Sequence, residues 1–201
     1  MSTLSAGRAL ETQVFSWPDH IPPKPLNLLL KGHVAAEPQS ILDLPSHAEA
    51  NVTAGLKHFI NKHPLAAQKF NFNVAAGTPV VLINTVSSAS HGGGHVTIDK
   101  SPCLTKSCCR NGASWVANLN RHMLIDEMEA LQGIPAGRLS WPSGTTRSKY
   151  GAMIGNGFTV GVIGRVALRL LKTIGKLPLP WRDAWADESH AWDLAAVGGG
   201  A

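Results

Sequence analysis

Arg121-His122-Met123-Leu124-Ile125-Asp126-Glu127-Met128-Glu129-Ala130-Leu131-Gln132-Gly133-Ile134-Pro135 is the stretch on which the reading of this chain turns. Met123, Leu124, Met128 and Leu131 recur at helical spacing, and Asp126, Glu127 and Glu129 lie where the positive end of a helix dipole favours anions. Gly133 supplies a C-terminal stop and Pro135 forbids continuation. A helix is therefore expected over 123–132. A basic linker over 138–150 follows, then Met153-Ile154-Gly155-Asn156-Gly157-Phe158-Thr159-Val160, which reads as a Gly-Asn turn opening a second helix. On that helix Ile163, Val166, Leu170 and Ile174 share one face, and Arg165, Arg169, Lys172 and Lys176 another.

Working outward, a chain of 201 residues holds one ordinary domain, or a small domain plus a piece of another. A hydrophobic share of 44% suffices for a core and excludes wholesale disorder. The net charge of +5 is unevenly spread: between Arg138 and Arg182 eight basic residues occur without an acid. Such a segment attracts phosphates or an anionic surface, or it is a solvated helix face. Arg165 and Arg169 interrupt the longest apolar candidate, so no membrane span is expected, and no apolar core after Met1 suggests a signal peptide. The odd count of three cysteines fits reduced thiols in an intracellular protein, nuclear in a eukaryote or cytoplasmic in a bacterium or virus. In that setting Asn51-Val52-Thr53 is a chance match to a glycosylation triplet.

Along the chain, Pro18, Pro22, Pro23 and Pro25 make 14–25 an extended connector, and 26–30 and 41–44 are short apolar anchors. Residues 51–62 read as a helix with Val52, Leu56, Phe59 and Ile60 on one face and Pro64 beyond its end. Residues 79–84 and 96–98 read as strands around a glycine-serine loop at 87–94, and 103–105 as a possible strand continuation. Trp181, Trp185 and Trp192 mark a tail that packs on the body, ending in a glycine run at 198–200.

Several constellations carry weaker signals. His91 and His95 flank Gly92-Gly93-Gly94, but two histidines in a glycine loop share no fixed face and lack carboxylate or cysteine partners, so no metal site is expected. Gly155-Asn156-Gly157 with Gly161 half matches a dinucleotide fingerprint, yet Val160 stands at the third glycine and no acid follows about twenty residues on. The bland alternative for Asn156 is a turn or capping residue. Neither a Gly-x-Ser-x-Gly, a His-Glu-x-x-His nor a phosphate-loop pattern is present.

Taken in order, Arg121, Glu127, Leu131-Gln132-Gly133-Ile134-Pro135 and Ile154-Gly155-Asn156 resemble the two C-terminal motifs of the DNA cytosine-5 methyltransferases. The glycine run at 92–94, Val96 and Ser101-Pro102-Cys103-Leu104-Thr105 resemble the core of that family's target-recognition domain, so the likeness covers about 80–171. The resemblance implies an α/β fold: the C-terminal portion of a Rossmann-like S-adenosylmethionine-dependent methyltransferase with a small, mixed, loop-rich target-recognition domain. The organisation it implies is an anchoring segment over 1–50, a recognition-like domain over 51–120, the C-terminal motifs over 121–177 and a tail over 178–201. It further implies double-stranded DNA contacts at His91, Gly92, Gly93, Gly94, His95, Thr105 and Lys106, and S-adenosylmethionine contacts at Gly155, Asn156 and Gly157. Glu127, Gln132 and Gly133 are expected to be structural, and Leu124, standing where the family has a threonine cap, should weaken the helix start.

The family's nucleophile is a cysteine after a proline, but it lies far upstream of the recognition domain. Pro102-Cys103 is thus assigned to recognition and no catalytic residue is expected in this chain. The cofactor loop, the nucleophile and the ring-protonating glutamate have no convincing copy here, so the chain alone is expected to be inactive. As implied by the resemblance, it is a fragment, a natural half completed by a separate catalytic chain, or a remnant. The alternative from another class is a non-catalytic basic nucleic-acid-binding module, with no membrane partner in either case.

Overall fold

The computed structural model describes residues 26–30, 41–72, 74–75, 77–86, 95–110, 112, 114–134, 138–140 and 143–177. The chain divides into two compact units, 23–159 and 160–201 with 1–22. The boundary between the units falls after Thr159. The expected connector over 14–25, the loop at 87–94 and the tail from 178 lie outside the described residues.

The larger unit is mixed α/β around one antiparallel sheet of order β2-β1-β3-β4. β1 (Val81–Asn84) is the central hydrophobic run, pairing on one side with β2 (Val96–Ile98) and on the other with β3 (Ser114–Val116), which in turn pairs with β4 (Arg121–His122). Opposed residues of β1 and β3 share faces: Leu82 lies across from Val116, and Ile83 across from Trp115. This alternation divides the core in two. Val81, Ile83 and Trp115 pack with Val52 and Phe59 of α2 (Ser46–Lys62), and with Ala66 and Ala67 of α3 (Pro64–Gln68). On the opposite face Val80, Leu82 and Val116 pack with α1 (Leu26–Leu30), α4 (Lys106–Arg110), α5 (Ile125–Leu131) and α6 (Arg147–Asn156). The sheet is therefore a middle layer, which is why β1 reads as an unbroken apolar run.

Three expectations change. The continuation through 103–105 is not a strand: the chain turns into α4 there, with the Thr105 hydroxyl accepting the Cys108 N–H at 3.3 Å. The linker over 138–150 and the turn at 155–157 are replaced in part by α6, so Gly155 and Asn156 are helical and Gly157 is an extended cap with φ −74°. Arg121 is in a strand, and the helix expected over 123–132 begins at Ile125.

Asn51 is buried and donates its amide to the Thr85 carbonyl at 3.0 Å, so a glycan has no access to it. Gly133 meets its expectation: at φ +74° it closes α5, with Ile134 N–H reaching Glu129 O and Gly133 N–H reaching Ala130 O. That is the paired pattern of a Schellman stop.

In the smaller unit, α7 (Val160–Thr173) buries none of its residues, and Val162, Ile163 and Leu170 are exposed. By length and composition 147–173 passes for a membrane span, with hydropathy 1.3. However, 157–159 are not helical, and the separate helices of 10 and 14 residues fall short of the ~20 a span requires.

Of the three cysteines, Cys108 and Cys109 lie in the core and Cys103 is exposed. One thiol equivalent is expected to react rapidly with a maleimide in the native protein and all three after denaturation; two fast equivalents would contradict this packing.

Candidate functional site where the C-terminal motifs meet

The site is assembled around a buried charge pair. Arg121 on β4 grips Glu127 on α5 with two bonds, Nη1 to Oε2 at 2.9 Å and Nη2 to Oε1 at 2.7 Å. Both side chains are almost wholly buried, at 3% and 0% exposure. Glu127 Oε2 also accepts the Leu124 N–H at 2.7 Å, which is half of a capping box and compensates for the leucine at the cap position. Arg121 Nη1 donates further to the His122 carbonyl at 3.0 Å. The strand-to-helix corner is thereby fixed by a fork-on-fork pair in which each partner also bonds the backbone.

From that corner, α5 presents Glu129 and Gln132 toward α6. Tyr150 donates its hydroxyl to Glu129 Oε1 at 2.6 Å. Gln132 Nε2 donates to the Ile154 carbonyl at 3.1 Å, and Gln132 Oε1 accepts the Thr159 hydroxyl at 3.0 Å. One amide therefore holds both the last turn of α6 and the residues leaving it. Arg147, at the start of α6, donates to the Met123 carbonyl at 3.3 Å.

The other side of α6 lies on α4. A β-carbon at Gly151 would overlap the Cys109 carbonyl oxygen, and one at Gly155 would overlap the Thr105 carbonyl oxygen. Gly151 and Gly155 are one helical turn apart on one face, so the two backbones approach where side chains would keep them apart. The glycine at 155 is thus required by packing whatever else it does.

Among the residues singled out from sequence, Gly155 is in this way brought directly against Thr105 and Lys106, across fifty positions of chain. Thr105, Lys106, Asn156 and Gly157 are all exposed around this junction. His95 is exposed but belongs to the β2 side, where its carbonyl accepts the Asn84 N–H at 2.9 Å. His91, Gly92, Gly93 and Gly94 lie outside the described residues. Tyr150 was not singled out from sequence, Glu129 was read only as a helix-dipole acid and Arg147 only as part of the basic segment; the i, i+3 spacing of Glu129 and Gln132 was the available signal for their shared role, since it puts both on one face of α5.

Burial sets the chemistry of the titratable groups here. It pushes the Cys109 thiol up to about 12, assisted by the neighbouring cysteines, and raises Cys108 for the same reasons. Neither is a thiolate at neutral pH, so neither is an activated nucleophile. Burial and then the adjacent Arg147 charge depress His122, partly offset by its bond with Gly112. Tyr150 is pushed up to about 12, first by burial and then by the Glu129 carboxylate that accepts its proton.

Replacing Glu127 with Gln leaves the Arg121 charge buried without its partner and is expected to cost about 3–5 kcal/mol in urea denaturation. Gly155→Ala is expected to cost about 1–3 kcal/mol by forcing α6 off α4. Tyr150 is the single tyrosine, so absorbance at alkaline pH reads it alone. Its transition should lie near 12 in the native protein and near ~10 in denaturant. Because the folded value is the higher one, the stability this group contributes is complete below pH ~10 and is lost as pH rises through about 12. A native transition near the unfolded value would mean that the Tyr150–Glu129 contact is absent.

Set beside known proteins, the chain matches no family model, no curated protein and no solved structure.

Proposed function

We propose that this chain is the C-terminal part of a DNA cytosine-5 methyltransferase, contributing target recognition and one wall of the S-adenosylmethionine pocket to an enzyme whose chemistry is carried elsewhere. One observation bears the most weight. Three short motifs, around residues 105, 132 and 154–156, are separated by more than twenty positions each, yet the last turn of α6 touches both of the others: Gly155 lies against the Thr105 carbonyl, and the Ile154 carbonyl accepts the Gln132 amide. Chance resemblance does not require its residues to converge, whereas one site built from recognition and cofactor elements does.

In this reading Thr105 and Lys106 contact DNA phosphates, and the exposed Asn156 and Gly157 at the end of α6 face the cofactor. Gln132 positions that end through Ile154 and Thr159. Gly155 is a packing glycine that lets the recognition segment approach the cofactor wall. The remainder of the Rossmann-like fold would come from the catalytic half. The exposed apolar residues of α7, among them Val162, Ile163 and Leu170, supply a face for such a half to cover.

The buried thiols at Cys108 and Cys109 are unsuited to attack on cytosine. Purified alone, the chain is expected to transfer no labelled methyl groups to DNA, and to bind duplex DNA with an affinity that falls as salt rises. Lys106→Ala should weaken duplex binding and reduce the salt slope by about 1. Methyl transfer by the chain alone overturns the reading. Duplex binding that ignores both Thr105→Ala and Lys106→Ala removes the recognition role, and no affinity for S-adenosylmethionine even with a catalytic half present favours a basic binding module instead.

A further inference from the structure

We propose that the outer surface of α2 and α3 is a separate polynucleotide-binding site that takes an unpaired strand, stacking a base on Phe72 and holding phosphates with Lys57, Lys62 and Lys69. No acidic residue occurs between Glu49 and Asp99, and all three lysines within that interval are exposed. Glu49 lies eight residues before Lys57 on α2, about 12 Å along the helix axis, so it does not neutralise the lysines. This layer therefore offers cations to a phosphate backbone with little local competition.

The rings of this layer decide which kind of strand it fits. His63 stacks on Phe59 with centroids 6.3 Å apart, Phe59 meets Phe70 edge-on at 5.7 Å, and Phe70 meets Phe72 edge-on at 5.4 Å. The series starts in the core, where Phe59 is 2% exposed, and ends in solvent with Phe72 at 76%. Phe72 is thus an exposed apolar ring braced from behind by other rings. Such a ring is a platform on which an unstacked base replaces water, and a base inside a duplex has no free face to offer it.

Beside these rings, Lys69 lines an open cleft of about 470 Å³ together with Leu65, Thr78 and Asp99. The Asp99 carboxylate in this cleft is anchored by the Val80 N–H, which donates to its Oδ1 at 2.8 Å. Because α2 and α3 lie on the opposite side of the sheet from α4 and α6, this surface does not depend on the duplex-binding role proposed for Thr105 and Lys106.

The test is fluorescence anisotropy of the full chain with labelled oligothymidylate and oligouridylate, with a duplex as control. Phe72→Ala is expected to weaken single-strand binding roughly 5- to 150-fold while Phe72→Trp retains it. Lys62→Ala and Lys69→Ala should each lower the salt slope by about 0.7. In Thr105→Ala and Lys106→Ala backgrounds the Phe72→Ala effect on single-strand affinity should be unchanged. All these side chains are exposed, and the single-tyrosine titration confirms that each variant is folded. Binding of either oligonucleotide with this Phe72 dependence supports the site, and the tighter of the two identifies the sugar it prefers. Absence of single-strand binding at low salt, or binding indifferent to Phe72→Ala, overturns it.

Discussion

The pair between Arg121 and Glu127 is the constraint from which the larger unit is built. It joins the edge strand β4 to the first turn of α5 across only five intervening residues, and it is buried on both sides. Burying two charges is costly unless every valence is used, and here Glu127 also holds the Leu124 N–H while Arg121 holds the His122 carbonyl. The corner therefore admits one geometry. Once α5 leaves the sheet in that direction, Glu129 and Gln132 are aimed at Tyr150 and Ile154, and the placement of α6 follows.

The same chain of constraints explains what was legible in the sequence. The Gly133 stop, β1 and β2 were readable because a left-handed stop and a buried β-branched run have strong local signatures. β3 and β4, of three and two residues, are too short to carry a period. Their pairing is set by tertiary contacts such as Trp115 opposite His122. α6 was read as linker and turn because its glycines at 151 and 155 lower helix propensity, and the stripe they form is for backbone contact rather than for apolar side chains. Amphipathic periodicity does not detect a helix that packs through its missing side chains.

For the candidate site, the sequence supplied the residue types and the structure supplied the adjacency. Gln132 was read as structural; its single amide bonds both the Ile154 carbonyl and the Thr159 hydroxyl. Thr105 was read as a phosphate contact on an extended segment; it stands just before α4, where its hydroxyl accepts the Cys108 N–H and its carbonyl lies against Gly155. No inspection of residues 101–106 alone would have revealed that, because the partner lies fifty positions away. Leu124 was expected to weaken α5, and the loss of a side-chain cap is real. The Glu127 carboxylate satisfies the cap from the other direction.

The two faces of the sheet end up with different physical characters. On the α4, α5 and α6 side a charge pair is buried and two helix backbones touch. On the α2 and α3 side the core is aromatic, with Phe59 and Trp115 buried, and Lys57, Lys62 and Lys69 are exposed. β1 belongs to both, with Leu82 facing one layer and Ile83 the other. The sites proposed on the two faces therefore have no side chain in common. The sheet that separates them is also what keeps the two faces at a fixed distance.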